Sequence, residues 1–240
     1  MGLVAQERLK AFDEMNGPEG VGPAYAEIAR WLRATPRETL ERKRTEAELL
    51  FRRIGITFAV YGEGGDPERL IPFDIIPRIL GRGEWERLSA GLRQRVKALN
   101  AFLLDIYGKR EIIKAGLIPA PLIIHNEAFR SVMQGFAPPG GIYTHIAGID
   151  LVRTGPDQFY VLEDNCRTPS GVSYMLENRE AMLRLFPKLC GRHRVAPVAH
   201  YPEELLTTLK AAAPANCEGT PSTESGRNTS GSRKASSRRR

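Results

Sequence analysis

Residues 142–153 and 158–164 are two extended, apolar-rich runs joined by Thr154-Gly155-Pro156-Asp157, whose composition is that of a turn. Such a pairing requires an antiparallel hairpin, and so a sheet within the fold. The second arm (Phe159, Tyr160, Val161, Leu162) runs into Glu163-Asp164-Asn165-Cys166-Arg167-Thr168-Pro169-Ser170-Gly171. An ion pair or a turn needs one carboxylate at that point. Three oxygen-bearing side chains in a row, followed by an arginine, suggest a divalent cation and a phosphate.

Strand parity carries this further. With Arg153 facing Gln158 across the turn, Asp150 falls opposite Val161. Side chains alternate between faces, so Asp150 shares a face with Val161, Glu163 and Asn165. Mg²⁺ favours such oxygen donors, with one or two carboxylates completed by water and substrate phosphates. Arg167 follows within reach and could clamp a phosphate oxygen. Ser170 and Gly171 open a helix expected over 172–186, whose free N–H groups add an anion site. The competing reading is a salt-bridge cluster beside a helix start, and spacing alone leaves both open.

Several motifs occur in a recognisable order. They are Gly55-Ile56-Thr57-Phe58, Ile71-Pro72-Phe73-Asp74-Ile75-Ile76-Pro77-Arg78, Gln94-Arg95-Val96-Lys97-Ala98-Leu99-Asn100 and Asp105-Ile106-Tyr107. After these come Gly148-Ile149-Asp150-Leu151-Val152-Arg153 and the run from Leu162 to Arg179. Through them the stretch 54–209 resembles the circularly permuted ATP-grasp family, related in its site to glutathionylspermidine synthase-like ligases. The resemblance implies an ATP- and Mg²⁺-dependent ligase that joins a carboxylate to an amine through an acyl phosphate, acting on a small molecule or peptide. It puts Asp150, Glu163 and Asn165 at the metal positions, and Arg167 and Arg179 on the phosphate or acyl-phosphate side. The related ligases carry an arginine where this chain has Gly148, so either Arg153 substitutes or transition-state stabilisation is weakened. It also implies a second half beyond Leu209 that grips the nucleotide. A non-catalytic binding or scaffold member of a peptide modification system is therefore the alternative.

The residues after Pro214 do not read as that half. Positions 215–240 hold Ser, Thr, Gly, Arg and Lys with no large apolar residue, a composition expected to be disordered. Their abrupt onset after a helix expected at 202–213 suggests a truncated or frameshifted end rather than a genuine basic arm. They also explain the charge. The chain has 35 Lys and Arg against 28 Asp and Glu, a net of +7, and this tail contributes six cations and two anions, a net of +4. The remaining +3 is ordinary. With no aromatics among the tail's cations, no specific nucleic-acid partner is expected.

No apolar run approaches the roughly 20 residues of a membrane span, and the N-terminus lacks a signal-peptide core. Cys166, Cys190 and Cys217 are odd in number and scattered, which argues against a zinc site or a disulfide framework. A reducing cytoplasm is the expected compartment, and a catalytic role for Cys166 is not expected.

Thr35-Pro36-Arg37-Glu38 predicts a capping box opening a helix to about Arg53. A strand over 56–61 should run into a glycine turn at 62–65. Leu88, Leu92, Val96, Leu99, Phe102, Leu103 and Ile106 recur at three- and four-residue steps and predict a long helix over 84–107. Residues 121–125 read as a buried strand, followed by a short helix through Gln134. The expected architecture is α/β (α+β), a partial ATP-grasp-like mixed sheet packed by helices. Its divisions are a helical N-terminal region (1–53), the partial ATP-grasp domain (54–214) and the basic tail (215–240). A sheet with unpaired edges would expose apolar surface, so a partner chain or an oligomer is expected.

Overall fold

The computed structural model describes residues 12–17, 20–55, 57–59, 68–70 and 73–213. The chain divides into two compact units, Met1–Val198 and Ala199–Arg240. The first unit begins with the strands β1 (Asn16–Gly17) and β2 (Gly20–Val21), the helices α1 (Ala26–Ala34) and α2 (Arg37–Ile54), and the strands β3 (Thr57–Ala59) and β4 (Glu68–Leu70). The helices α3 (Arg82–Tyr107), α4 (Glu111–Lys114) and α5 (Ala120–Ile124) follow. The hairpin strands β5 (Gly148–Gly155) and β6 (Gln158–Asn165) then lead to α6 (Val172–Leu185) and α7 (Pro187–Gly191). In the second unit, α8 (Tyr201–Ala212) starts with Pro202 in its first turn and carries Glu203 and Glu204 there, where acidic side chains complement the helix dipole.

The fold is α+β. Among the described residues the strands form three separate antiparallel pairs, β1–β2, β3–β4 and β5–β6, rather than one mixed sheet. The glycine turn expected at 62–65 lies outside the described residues, as do residues 215–240.

The core is helical. Ile28 of α1, Ala47 of α2, Ile75, Leu185 of α6, and Phe186 and Leu189 around α7 are buried together. Phe51 and Ala181 form a second cluster alongside, with Leu50, Phe73 and Tyr174 packed against it. Aromatic edges lock both clusters. Trp31 meets Phe186 at 5.2 Å and Phe51 meets Phe73 at 4.8 Å, each near-perpendicular. The N-terminal helices thus share a core with α6, the helix that follows the hairpin.

Three local expectations are corrected here. The helix expected from Thr35 does form, but the capping box does not. The Thr35 hydroxyl donates back to the Trp31 carbonyl at 2.7 Å and finishes α1. Pro36 takes the N-cap position of α2, with no side-chain bond to the free N–H groups. A threonine between two helices can satisfy either end, and here the α1 carbonyl wins. The buried strand expected over 121–125 is the short helix α5, with Leu122 66% and Ile124 41% exposed. Pro121 falls in the first turn, where its fixed φ suits a helix, and no strand among the described residues pairs with this segment. A 3₁₀ turn, Ser131–Met133, stands where a short helix through Gln134 was expected.

The long helix α3 forms as its period predicts. Leu88, Leu92, Val96, Leu99, Phe102 and Leu103 are half-buried and Ile106 is buried, whereas Trp85 and Leu104, off the stripe, are exposed. Polar contacts from α3 hold the hairpin and its approach. Asn100 Oδ1 accepts the N–H groups of Tyr143 (2.7 Å) and Thr144 (2.9 Å). This bond holds residues 143–144 out of the strand expected to start at 142, and β5 begins at Gly148. Arg87 pairs with Asp157 at the hairpin turn.

One nearly buried cation joins the N-terminal segment, α3 and the hairpin. Arg153 of β5 is 11% exposed at its side chain and meets Glu84 of α3 at 2.5 Å and Glu14 at 3.3 Å. Its guanidinium also lies 5.2 Å from the Phe12 ring and 5.3 Å from the Phe159 ring. Arg78 shares Glu14. Removing Arg153 would leave two largely desolvated carboxylates short of a counter-charge, which costs about 3 kcal/mol. Arg153→Met should therefore lower the thermal midpoint by roughly 6–12 °C, as followed by circular dichroism. A drop under about 2 °C would show that the hub contributes little to stability.

Candidate functional site

The hairpin is not a regular ladder. Arg153 faces Phe159, Val152 faces Tyr160 and Leu151 faces Val161, but Asp150 faces Glu163 and Gly148 faces Asn165. Leu162 is the extra residue of a β-bulge. The strict alternation read from sequence, with Asp150 opposite Val161, is replaced by this register. Without the bulge the ladder would set Glu163 opposite Ile149, on the face turned toward α3. The bulge moves Glu163 and Asn165 to the outer face beside Asp150 and turns Asp164 inward.

Exposure follows the same division. Asp150, Glu163 and Asn165 are exposed, and Asp164 is half-buried. Asp164 receives a two-pronged grip from Arg95 of α3, with Nε and one terminal nitrogen each 2.7 Å from a carboxylate oxygen. This guanidinium holds the Asp164 carboxyl below the usual carboxylate range.

On the outer face, Asp150 and Glu163 stand directly opposite each other, a position where Cβ atoms are about 5 Å apart and like charges repel. Neither has a cationic partner among the described residues. Asn165 Nδ2 donates to Glu163 Oε1 at 3.1 Å, which leaves Asn165 Oδ1 free to accept or to ligate. No group of three or more His, Cys, Asp or Glu side chains suited to a metal occurs among the described residues. The donor set is thus two carboxylates and an amide oxygen. It fits a hard cation that keeps open positions for water and phosphate, as Mg²⁺ does.

The segment after β6 folds back across this face. A Cβ on Gly148 would lie 2.9 Å from Pro169 Cβ and 3.5 Å from Asn165 Cβ, so only glycine lets Pro169 cross there. No side chain, and least of all an arginine, fits at 148 without moving that loop. Arg167 and Ser170 are exposed within it, and Arg167 has no acidic partner among the described residues. Gly171 begins α6 with φ 101°, a left-handed conformation that glycine adopts without strain, and no side chain caps the helix.

The other arginines are placed elsewhere. Arg179 donates to the Ala196 carbonyl at 3.0 Å, which commits one of its nitrogens to the segment after α7. Arg153 lies on the inner face in the Glu14–Glu84 hub, so the structure does not bring it to Asp150 and Glu163. Cys166 sits between Asp164 and the Thr144 hydroxyl. Burial, joined by the Asp164 charge, pushes its thiol up, the opposite of what a nucleophile needs. Arg95 and Asn100 were legible only as members of a motif. The pairing of Arg95 with Asp164 carries no local signal, because the two residues are 69 positions apart.

Asp164, Asp105 and Glu14 all have lowered carboxyl pKa values. The causes are the Arg95 guanidinium, the N–H groups of Ile112 and Glu111, and Arg78 respectively. For each, the unfolded chain binds the proton more readily, so their stabilisation is complete above the ordinary carboxylate range of about 4 and is lost as pH falls below it. The thermal midpoint should fall as acid titrates these groups, and Asp164→Asn should reduce the slope. An unchanged slope in that variant would remove Asp164 from the account.

A family model described as a circularly permuted ATPgrasp matches residues 77–223, more than half of the chain and all of the hairpin. An uncharacterized protein of Synechocystis sp. is 43% identical over 192 residues, covering 80% of this chain and 40% of that protein. An uncharacterized protein of Mycobacterium tuberculosis is 44% identical over 214 residues, covering 86% of this chain and 37% of that one. A Frankia alni protein named "Putative glutamate--cysteine ligase 2-3" is 38% identical over 224 residues, 91% of this chain and 25% of that protein. The chain thus spans 40% or less of the length of these relatives. On the match across residues 77–223, the chain belongs to the circularly permuted ATP-grasp family.

Proposed function

We propose that the chain supplies the metal and phosphate face of an ATP- and Mg²⁺-dependent ligase that joins a carboxylate to an amine. The observation that carries this reading is the pair Asp150 and Glu163, set opposite each other on an exposed strand face with no cation among the described residues to offset their repulsion. A ladder position that costs stability in this way is suited to a ligand that repays it. Family membership supports the chemistry, and the Frankia relative's name describes a ligase of this bond-forming class.

Asp150, Glu163 and the Asn165 amide oxygen would hold Mg²⁺, whose charge would offset that of the nucleotide phosphates. Arg167, exposed on the adjoining loop and without an acidic partner among the described residues, would contact the transferring phosphoryl group, and the open N-terminus of α6 at Ser170 and Gly171 would receive a further phosphate oxygen. The substrate carboxylate attacks the γ-phosphorus and ADP leaves. The amine then attacks the acyl phosphate, loses a proton and releases inorganic phosphate as the amide forms. Arg179 could join this site only by giving up its bond to Ala196. The substrates are a small-molecule or peptide carboxylate and amine.

A second reading, a non-catalytic binding member of the family, is favoured by Gly148. The related ligases place an arginine there, and the contact with Pro169 leaves no room for one.

Calorimetric titration of Mg²⁺ and ATP tests the metal assignment. The native chain should bind nucleotide in a Mg²⁺-dependent manner, and Glu163→Ala should lose that dependence. Equal Mg²⁺-dependent binding by both proteins would remove the proposed role of Glu163.

A further inference from the structure

We propose that Arg95, a residue of α3 that does not belong to the carboxylate face, is the positioning residue for that face and sets its affinity for a divalent cation. The inference rests on the metal reading of Asp150, Glu163 and Asn165 and goes beyond it to what holds those groups in place. Asp164 lies between the two β6 donors in sequence and points to the opposite side of the strand. Whatever fixes Asp164 inward therefore fixes Glu163 and Asn165 outward. Arg95 does so with two 2.7 Å bonds from one planar fork, a geometry that restrains both the position and the rotation of the carboxylate.

The place is one that needs such a restraint. The Leu162 bulge interrupts the ladder one residue before Glu163, and the strand could recover its regular register by shifting one residue. That shift would return Glu163 to the inner face and carry Asp164 outward. The neighbouring strand alone does not prevent it, because β5–β6 is a two-stranded pair with no third strand among the described residues. The restraint comes from α3. Asn100, five residues along the same helix, fixes Tyr143 and Thr144 on the approach to β5, so one rigid helix references both strands. Asp150 on one strand and Glu163 on the other are thereby held opposite each other.

Electrostatics makes the proposal testable by sign. Taking away a cation beside a cation site, and freeing the Asp164 carboxylate, would tighten Mn²⁺ binding if charge alone mattered. Loss of positioning weakens it, typically tenfold or more when a group that orients metal ligands is removed. The free-ion electron paramagnetic resonance signal of Mn²⁺, titrated against the full chain, reads the affinity without requiring turnover. Arg95→Met should raise the Mn²⁺ dissociation constant about tenfold. Its thermal midpoint should move by no more than about 4 °C, because a partly exposed ion pair contributes little to stability. Arg95→Lys, which keeps the charge but not the fork, should fall between Arg95→Met and the native chain. Unchanged or tighter binding by Arg95→Met, with binding abolished in Glu163→Ala, would overturn the positioning role and leave the metal face standing. Binding unchanged in Glu163→Ala would overturn both.

Discussion

One additional residue in β6 decides which groups this hairpin presents. In a regular ladder, Glu163 would lie beside Ile149 against α3 and Asp164 would face outward. The bulge at Leu162 exchanges them. Asp164 then becomes an anchor, gripped by Arg95, and Glu163 becomes an exposed group opposite Asp150 that accepts a hydrogen bond from Asn165. Leu162 itself is left 69% exposed, which is the local cost of the arrangement. Every chemical statement about the outer face depends on this exchange.

The helical framework lets a two-stranded hairpin keep such a register. An isolated pair of strands is marginal in water. Here α3 holds the hairpin through Glu84, Arg87 and Arg95, and its approach through Asn100. The Arg153 hub adds a tie to the N-terminal segment, and α6 carries the chain from the site loop into the core of α1, α2 and α7. The hydrophobic core therefore lies away from the site and supports it through helices, while polar contacts set the finer geometry.

The long-period features were legible in the sequence, and the contacts between distant segments were not. The α3 stripe, the hairpin turn and the start of α6 each follow from local composition and periodicity. Parity placed Asp150, Glu163 and Asn165 on one face although its register was wrong, because Asp150↔Val161 and the true Asp150↔Glu163 differ by an even number of residues on β6. Arg153 could stand in for a missing site arginine only while its partners were unknown, since Glu14 lies 139 residues away. Gly148 looked like a lost arginine, but the structure shows a close approach by Pro169, an event recorded in no single stretch of sequence. Pro121 and Thr35 were misread for a simpler reason, namely that apolar runs and capping residues each serve two structures.

The central claim is that Asp150, Glu163 and Asn165 act together as one cation-binding face. The most direct measurement is residue-resolved broadening of amide signals in the nuclear magnetic resonance spectrum of the chain as substoichiometric Mn²⁺ is added. Broadening is expected to centre on Asp150 and on 163–167 and to be removed by excess Mg²⁺. Broadening spread over the acidic surface without a maximum there, or centred elsewhere, would contradict it.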